Sequence, residues 1–198
     1  MEEAMKRLET RESTSNLTSY LNNAKLNKVD TSKWKEFKVK EIFITEKKGK
    51  SSQVPTGSSI PKKYLLDGKT PRISATNIDN GILGYYEDID DKNYRFFENF
   101  ISVSFLGTVF YHKYKASLDM KIHCLKLKNK ELNREVAFYL TSIIRQALKN
   151  IEYKDQISST VLPDIKIKLP IDSRGNPDWD YMERYIENLK CKIANYNI

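Results

Sequence analysis

Apolar positions recur along this chain with two different periods, and the change of period outlines its elements. Near the N-terminus, Met1, Met5 and Leu8 and then Leu17, Tyr20, Leu21 and Ala24 fall at helical spacing, separated by Ser13-Thr14-Ser15. This predicts an appended helical arm over residues 1–32. Asp30-Thr31-Ser32 supplies cap or turn chemistry, and Trp34, Phe37, Val39, Ile42 and Phe43 open a compact domain near Lys33. Short strands are predicted at 72–75 and 82–86, joined through Asp79-Asn80-Gly81, whose Asn-Gly pair tolerates the positive φ of a tight turn. Phe100, Val103, Phe105, Val109 and Tyr111 read as buried strand, and Ile122, Cys124, Leu125 and Leu127 as another.

The clearest helix spans 134–151. Val136, Leu140, Ile143, Ile144, Ala147, Leu148 and Ile151 form its stripe behind the cap residue Asn133. Residues 165–169 return to a strand that Pro170 ends, Gly175-Asn176-Pro177 turns the chain, and a last helix begins near Asp178. Its stripe of Met182, Ile186, Leu189 and Ile193 steps by four, three and four, the seam spacing of a helix that pairs with another; packing back on its own domain is the alternative. The predicted class is α+β: a β-rich domain with a packed helix over 33–172, flanked by the arm and by a helical segment over 173–198.

Composition narrows the possibilities. The 198 residues carry 8 Phe, 12 Tyr and 2 Trp with only 7 Gly and 6 Pro, so there is material for a core and disorder is excluded. The longest nearly apolar run, 100–111, is 12 residues, short of the ~20 that a spanning helix needs. Met1-Glu2-Glu3 is acidic where a secretory leader is basic, which leads to the expectation of a cytoplasmic protein. Cys124 and Cys191 form no Cys-x-x-Cys pair, and two histidines offer little for zinc.

Charge alters the picture more. The net +8 is concentrated: residues 33–66 hold nine Lys against three Glu, and residues 110–134 hold seven Lys and Arg against two acids. Lysines interleaved with aromatics, as in His112-Lys113-Tyr114-Lys115, are the footprint of a phosphate-backbone binder, and equally of a solvated basic surface. Residues 45–63 form a long Lys/Ser/Gly loop, read as functional because loops over about 12 residues are unusual in compact domains.

Catalytic signatures are lacking. Gly49, Gly57 and Gly68 are too far apart for a phosphate loop or a dinucleotide fingerprint. No Glu-x-Lys or Asp-x-Lys follows Pro163-Asp164 or Pro177-Asp178 to complete a nuclease site. His123 reads as a core or sheet-face residue and His112 as a surface or phosphate contact, with no nucleophile arrangement around either. The expectation is a chain without catalytic residues or a metal.

Four phrases carry a resemblance: Trp34-Lys-Glu-Phe, Pro71-Arg-Ile-Ser-Ala-Thr-Asn-Ile-Asp-Asn-Gly-Ile-Leu-Gly-Tyr, Asn99-Phe-Ile-Ser-Val-Ser-Phe-Leu-Gly-Thr-Val-Phe-Tyr and Tyr153-Lys-Asp-Gln-Ile. With the closing strand and helix, they make residues 33–198 similar to a target-recognition domain of the specificity (S) subunit of type I, and related type IIB, restriction-modification systems. Such subunits normally carry two recognition domains separated by two long helices, and here there is one of each.

The resemblance implies a domain that reads one half of a bipartite site on double-stranded DNA and positions methyltransferase (M) subunits, with a restriction (R) subunit as a further partner. It also implies a working form that is a homodimer or half of a two-domain S subunit. S-adenosylmethionine would belong to the methyltransferase, with no cofactor in this chain. Lys47, Lys48, Lys50, Lys62, Lys63, Lys113 and Lys115 are then the expected phosphate contacts. Gln53, Arg72, Ser74, Thr76 and Asn77 are the expected base readers, with Ser51 and Ser52 as adaptable partners. For Asn77 a turn cap, and for Arg72 an ion pair with an acid such as Asp79, are the alternatives. A protein-protein assembly module with an incidental basic surface is the competing function.

Overall fold

A computed structural model describes residues 29–91, 93–149 and 156–195. The expected arm therefore lies outside the described residues up to 28, as do Tyr153 to Asp155 of the last resembling phrase. In the turn that follows the arm, the Ser32 amide donates to the Asp30 carboxylate at 2.9 Å. A compact unit runs from Trp34 onward.

That unit is closed by the pairing of its first strand with its last. Strand β1 (Lys35–Lys38) pairs antiparallel with β11 (Lys166–Leu169), Phe37 lying opposite Ile167. A single turn of helix, α1 (Val39–Ile42), follows β1 and buries Val39 and Ile42. The pairing is non-local, so the domain is complete only once both of its ends have been recruited.

The centre is a three-stranded antiparallel sheet in the order β10-β7-β8, made of β7 (Phe100–Ser104), β8 (Val109–His112) and β10 (Ile122–Leu125). All five residues of β7 are buried because it is covered on both faces. Period two divides them: Ile101 and Val103 enter the larger core, while Phe100 faces a smaller one with Ile73, Ala116, Leu118, Ile122 and Cys124. Burial in that small core pushes the Cys124 thiol up to about 12, leaving it protonated and inert. The expected strand over 100–111 is in fact two strands, because Gly107 at φ +83 reverses the chain.

Helix α2 (Arg134–Leu148) covers the large-core face. The Asn133 side chain accepts a hydrogen bond from the Val136 amide at 2.8 Å, as the sequence predicts. Val136, Leu140, Ile144 and Leu148 repeat every four residues and are all buried, which gives the helix its stability.

The last helix, α3 (Trp179–Asn195), lies against α2. Met182 is fully buried in the large core and Ile186 packs on its edge, while Tyr185 meets Tyr139 edge-on at 5.6 Å and Lys190 pairs with Glu135. The seam is therefore corrected in its first half: Met182 and Ile186 serve the domain's own core, and only Leu189 and Ile193 stay half-buried beyond it.

A second, mixed sheet carries the order β5-β4-β9-β6, from β4 (Asp67–Ile73), β5 (Ile82–Tyr86), β6 (Phe96–Phe97) and β9 (Ala116–Leu118). Strands β4 and β9 are parallel, with Arg72 beside Ser117 and Ile73 beside Leu118. β6 and β9 escape a periodicity reading because two or three residues are too few to repeat an alternation.

The 45–63 segment is less irregular than expected. It contains a hairpin of β2 (Glu46–Lys48) and β3 (Ser51–Gln53), turned at Gly49 with φ +61, and its end enters a 3-10 turn at Lys62–Tyr64. Between these, the Gly57 amide donates to the Ile122 carbonyl at 3.1 Å and the Ser58 amide to the Leu118 carbonyl at 3.1 Å. A Cβ on Gly57 would lie 2.1 Å from the Leu118 carbonyl oxygen and 2.3 Å from that of Asp119. Gly57→Ala is therefore expected to cost about 2 kcal/mol, measured as a lowered urea midpoint. An unchanged midpoint would mean that the segment is not held against β9.

Candidate nucleic-acid interface

Lys47 on β2 and Lys50 in the hairpin turn are exposed, and Ser51, Ser52 and Gln53 follow on β3. The side chain of Lys48 lies outside the described residues. Gln53 sits opposite Glu46 and Ser52 opposite Lys47, so the hairpin presents basic and amide groups together. Polar residues on both faces suit a hairpin that projects from the core rather than packing into it. Lys62 and Lys63 occupy the 3-10 turn and are exposed, with the Lys63 ammonium 4.8 Å from the Tyr64 ring centroid. These four lysines can serve as phosphate contacts as they stand.

Two other expected contacts are corrected. Lys115 is tied to Asp88 by an ion pair and lies 4.2 Å from the centroid of Phe96, so its charge is already answered within the domain. That ion pair and the Thr70 hydroxyl hold the Asp88 carboxyl below the usual range. Arg72, expected at a base edge, has 2% of its surface exposed. Its Nη2 donates to the Ser58 carbonyl at 2.8 Å and reaches the Asp119 carboxylate at 3.2 Å. An acid does pair with it, but from the turn after β9 rather than from Asp79. A guanidinium enclosed beneath its own sheet has no path to a groove of DNA.

The segment after β4 fares better. Ser74 and Thr76 are half-buried, and the Thr76 hydroxyl accepts from the Ile78 amide at 3.2 Å. Asn77 is exposed, at the start of the turn that Asp79, Asn80 and Gly81 complete with φ of 47, 52 and 81°. The turn meets the end of β8: a Cβ on Gly81 would lie 3.4 Å from the Phe110 ring, and the Tyr114 hydroxyl is raised by burial and by neighbouring Tyr85 and Asp79.

Here the tertiary structure assembles something the sequence reading missed. A groove of about 460 Å³ runs between this turn and the outer face of α2, lined by Asn80, Tyr111, Lys113, Arg134, Phe138 and Arg145 among others. A second, of about 630 Å³, continues past the helix N-terminus and shares Tyr111, Lys113 and Arg134, adding Lys126 and Asn99. Arg134 lies over the Phe138 ring at 5.4 Å and Arg145 over Phe110 at 5.3 Å, while Arg145 Nε donates to the Val109 carbonyl at 3.0 Å. Arginine and lysine spaced by aromatic rings is the chemistry of a surface that accepts phosphate and stacks on planar groups. One sequence signal could have found it: Arg134 and Phe138 are four apart on the face of α2 opposite its apolar stripe.

Both histidines are buried. His123 donates through Nδ1 to the Val103 carbonyl at 2.8 Å, a sheet-face role as expected. His112, expected at the surface, is corrected: it is fully buried, with Nε2 2.8 Å from the Ser102 hydroxyl and Nδ1 3.3 Å from that of Tyr114. Burial pushes its pKa from 6.5 down to about 4. This Ser-His contact has the distance of a nucleophile and its base, but Ser102 is itself 2% exposed on the central strand, so no substrate reaches it. Among the described residues no group of His, Cys, Asp and Glu is placed to hold a metal ion, and no helix is long and apolar enough to cross a membrane.

The fold is that of restriction-modification specificity subunits. The chain superposes on the HsdS subunit from Thermoanaerobacter tengcongensis with a TM-score of 0.56 at 13% identity, over 98% of this chain and 49% of that one. The S subunit of a type I system from M. genitalium gives 0.53 at 17%, over 84% and 41%.

Residues 31–195 match the type I restriction modification DNA specificity domain, and the chain belongs to that family. Among curated relatives, the specificity subunit S.BcgI of a type II restriction enzyme from Heyndrickxia coagulans is 30% identical over 164 residues, 81% of this chain and 45% of that protein. A putative type I specificity subunit of Mycoplasma pneumoniae, S.MpnORF507P, is 28% identical over 120 residues, 59% of this chain and 32% of the relative. The chain thus spans less than half the length of these relatives.

Proposed function

We propose that this domain binds double-stranded DNA and reads a short sequence, one half of a bipartite site, and so positions DNA methyltransferase subunits and, where present, a restriction subunit. The observation that carries the reading is the family match over nearly the whole described chain, on a domain whose hairpin and turn leave Lys47, Lys50, Lys62 and Lys63 exposed. Lysines on short projecting elements follow a phosphate backbone and set register, while Gln53 and Asn77 carry the paired donor and acceptor that identify adenine in the major groove. Ser74 and Thr76 precede Asn77 and hold the turn that presents it, through the Ser74 amide to the Gly81 carbonyl and the Ile78 amide to the Thr76 hydroxyl.

Methyl transfer would belong to the partner subunits, where S-adenosylmethionine would be held. A second recognition half, from another copy of this chain or from a longer S subunit, would pair along Leu189 and Ile193, the part of the α3 stripe that the domain's own core leaves half-buried.

The test is selection from a randomised duplex library at two salt concentrations, with and without the cognate methyltransferase. A short enriched motif is expected, repeated at fixed spacing when two halves are present. Equal affinity for every sequence in both conditions would overturn the reading in favour of an assembly module. On the enriched duplex, replacing Lys62 and Lys63 together by Ala should weaken all sequences alike and lower the slope of log K against log salt by about two. A loss confined to one sequence would show that these lysines touch bases.

A further inference from the structure

We infer that Arg72 is a positioning residue that latches the lysine-bearing turn 62–64 to the mixed sheet, through the Ser58 carbonyl on one side and Asp119 on the other. The inference rests on the DNA-binding reading above and adds a residue to it that touches no DNA.

The geometry begins with the strand pair. Arg72 and Ser117 are register partners in β4 and β9, so their side chains leave the sheet on the same face. From there the Arg72 fork spans two irregular segments: Nη2 donates at 2.8 Å to the carbonyl of Ser58, four residues before Lys62, and lies 3.2 Å from the Asp119 carboxylate. Asp119 is held in place in turn, accepting at 2.8 Å from the Met120 amide. The backbone adds its own ties, Ser58 to Leu118 and the Asp119 amide to the Ile73 carbonyl at 3.0 Å. Arg72 is therefore the side chain that joins the strand, the segment before the lysine turn and the turn after β9.

Stability alone does not account for an arginine here. Among the described residues, four buried side chains have a polar atom with no hydrogen-bond partner within the protein, and three of them are Arg72 at Nη1, Ser58 at Oγ and Ser117 at Oγ. Buried polar atoms without partners are costly, and an apolar side chain of similar length removes that cost and the cost of burying the charge. Asp119 is 44% exposed on its side chain and would stay solvated if Arg72 were lost. What the arginine supplies and a methionine cannot is a charged Nη2 on a rigid planar group, donating to the Ser58 carbonyl and to the Asp119 carboxylate together.

The test uses the full chain, with Arg72→Met, the double substitution of Lys62 and Lys63 by Ala, and the two combined, titrated with the enriched duplex over a range of salt. Arg72→Met should keep a thermal midpoint within a few degrees of the parent. It should also lower the salt slope by about two, and the combined variant should lose no more, because the lysines act only while latched. An unchanged slope in Arg72→Met, or losses that add in the combination, would overturn the inference.

If Arg72→Met does not fold, Asp119→Ala tests the other arm of the latch by the same slope, and an unchanged slope again overturns it. Hydrogen exchange needs no DNA: the Gly57 and Ser58 amides should lose protection in the variant while those of α2 keep theirs. Retained protection in the variant removes the latch, whereas protection lost in the variant, together with a parent protein that binds no DNA, leaves the latch standing and removes the DNA reading instead.

Discussion

Phe100→Ala is expected to destabilise the domain by about 3–5 kcal/mol, read as a lowered urea midpoint with an unchanged slope. The ring is fully buried on the central strand β7 and packs against Phe97 at 6.1 Å and His112 at 4.9 Å between ring centroids. It belongs to the smaller core, whose other buried members are Ile73, Ala116, Leu118, Ile122 and Cys124. Short strands on both sides give that core little freedom to collapse around a deleted ring, so most of the cavity would persist. Because Ile73 and Leu118 flank Arg72 and Ser117, the substitution should also loosen the latch before it unfolds α2. A loss under about 1 kcal/mol would show that the core closes around the gap and that β7 does not tie the two sheets together.

Acidification should weaken the fold well above the pH at which carboxylates titrate. His112 has a folded pKa near 4 against 6.5 when unfolded, because burial penalises its charged form. A depressed histidine means that the unfolded chain binds the extra proton first. Stability is therefore complete above about pH 6.5 and falls as pH is lowered towards 4, by about 2 kcal/mol at pH 5 and roughly 3 kcal/mol below pH 4.

His123 is lowered by burial in the same direction and adds to the loss. The carboxylates lowered by exposed partners, such as Asp164 between Lys38 and Lys40, act only at more acidic pH and contribute little. Urea midpoints at pH 7.5 and 5.0 check this, with His112→Gln expected to flatten most of the profile. A flat profile in the parent protein would mean that the imidazole is solvated or already charged.

Much of the architecture was legible beforehand wherever a single element carried its own signal. Helix α2 declared itself by six apolar residues at helical spacing, Val136, Leu140, Ile143, Ile144, Ala147 and Leu148, and by Asn133 at its start. The turn at Asp79-Asn80-Gly81 declared itself because a positive φ suits those residues in any fold. The hairpin of β2 and β3 did not. Its polar residues resemble a loop, and only pairing across Gly49 turns them into strands. The candidate interface was legible in kind but not in detail: a basic surface carrying Lys47, Lys50, Lys62, Lys63 and Lys113 could be anticipated from charge density. Arg72 could not be placed, since a lone arginine in a short strand reads alike whether it faces solvent or is enclosed.

The sequence by itself determined the class of the protein: an α+β domain with a basic surface, one amphipathic helix behind a cap, and phrases that assign it to the specificity family. These follow from local periodicity, composition and residue order, which need no knowledge of what touches what. Tertiary structure alone decided that β11 returns to β1, that Met182 serves its own core, that His112 is sealed beside Ser102, and that Arg134 and Arg145 join Lys113 along one groove. Each depends on contacts between residues far apart in the chain, and the energy that decides among them, burial of a charge or closure of a core, exists only after those residues have met.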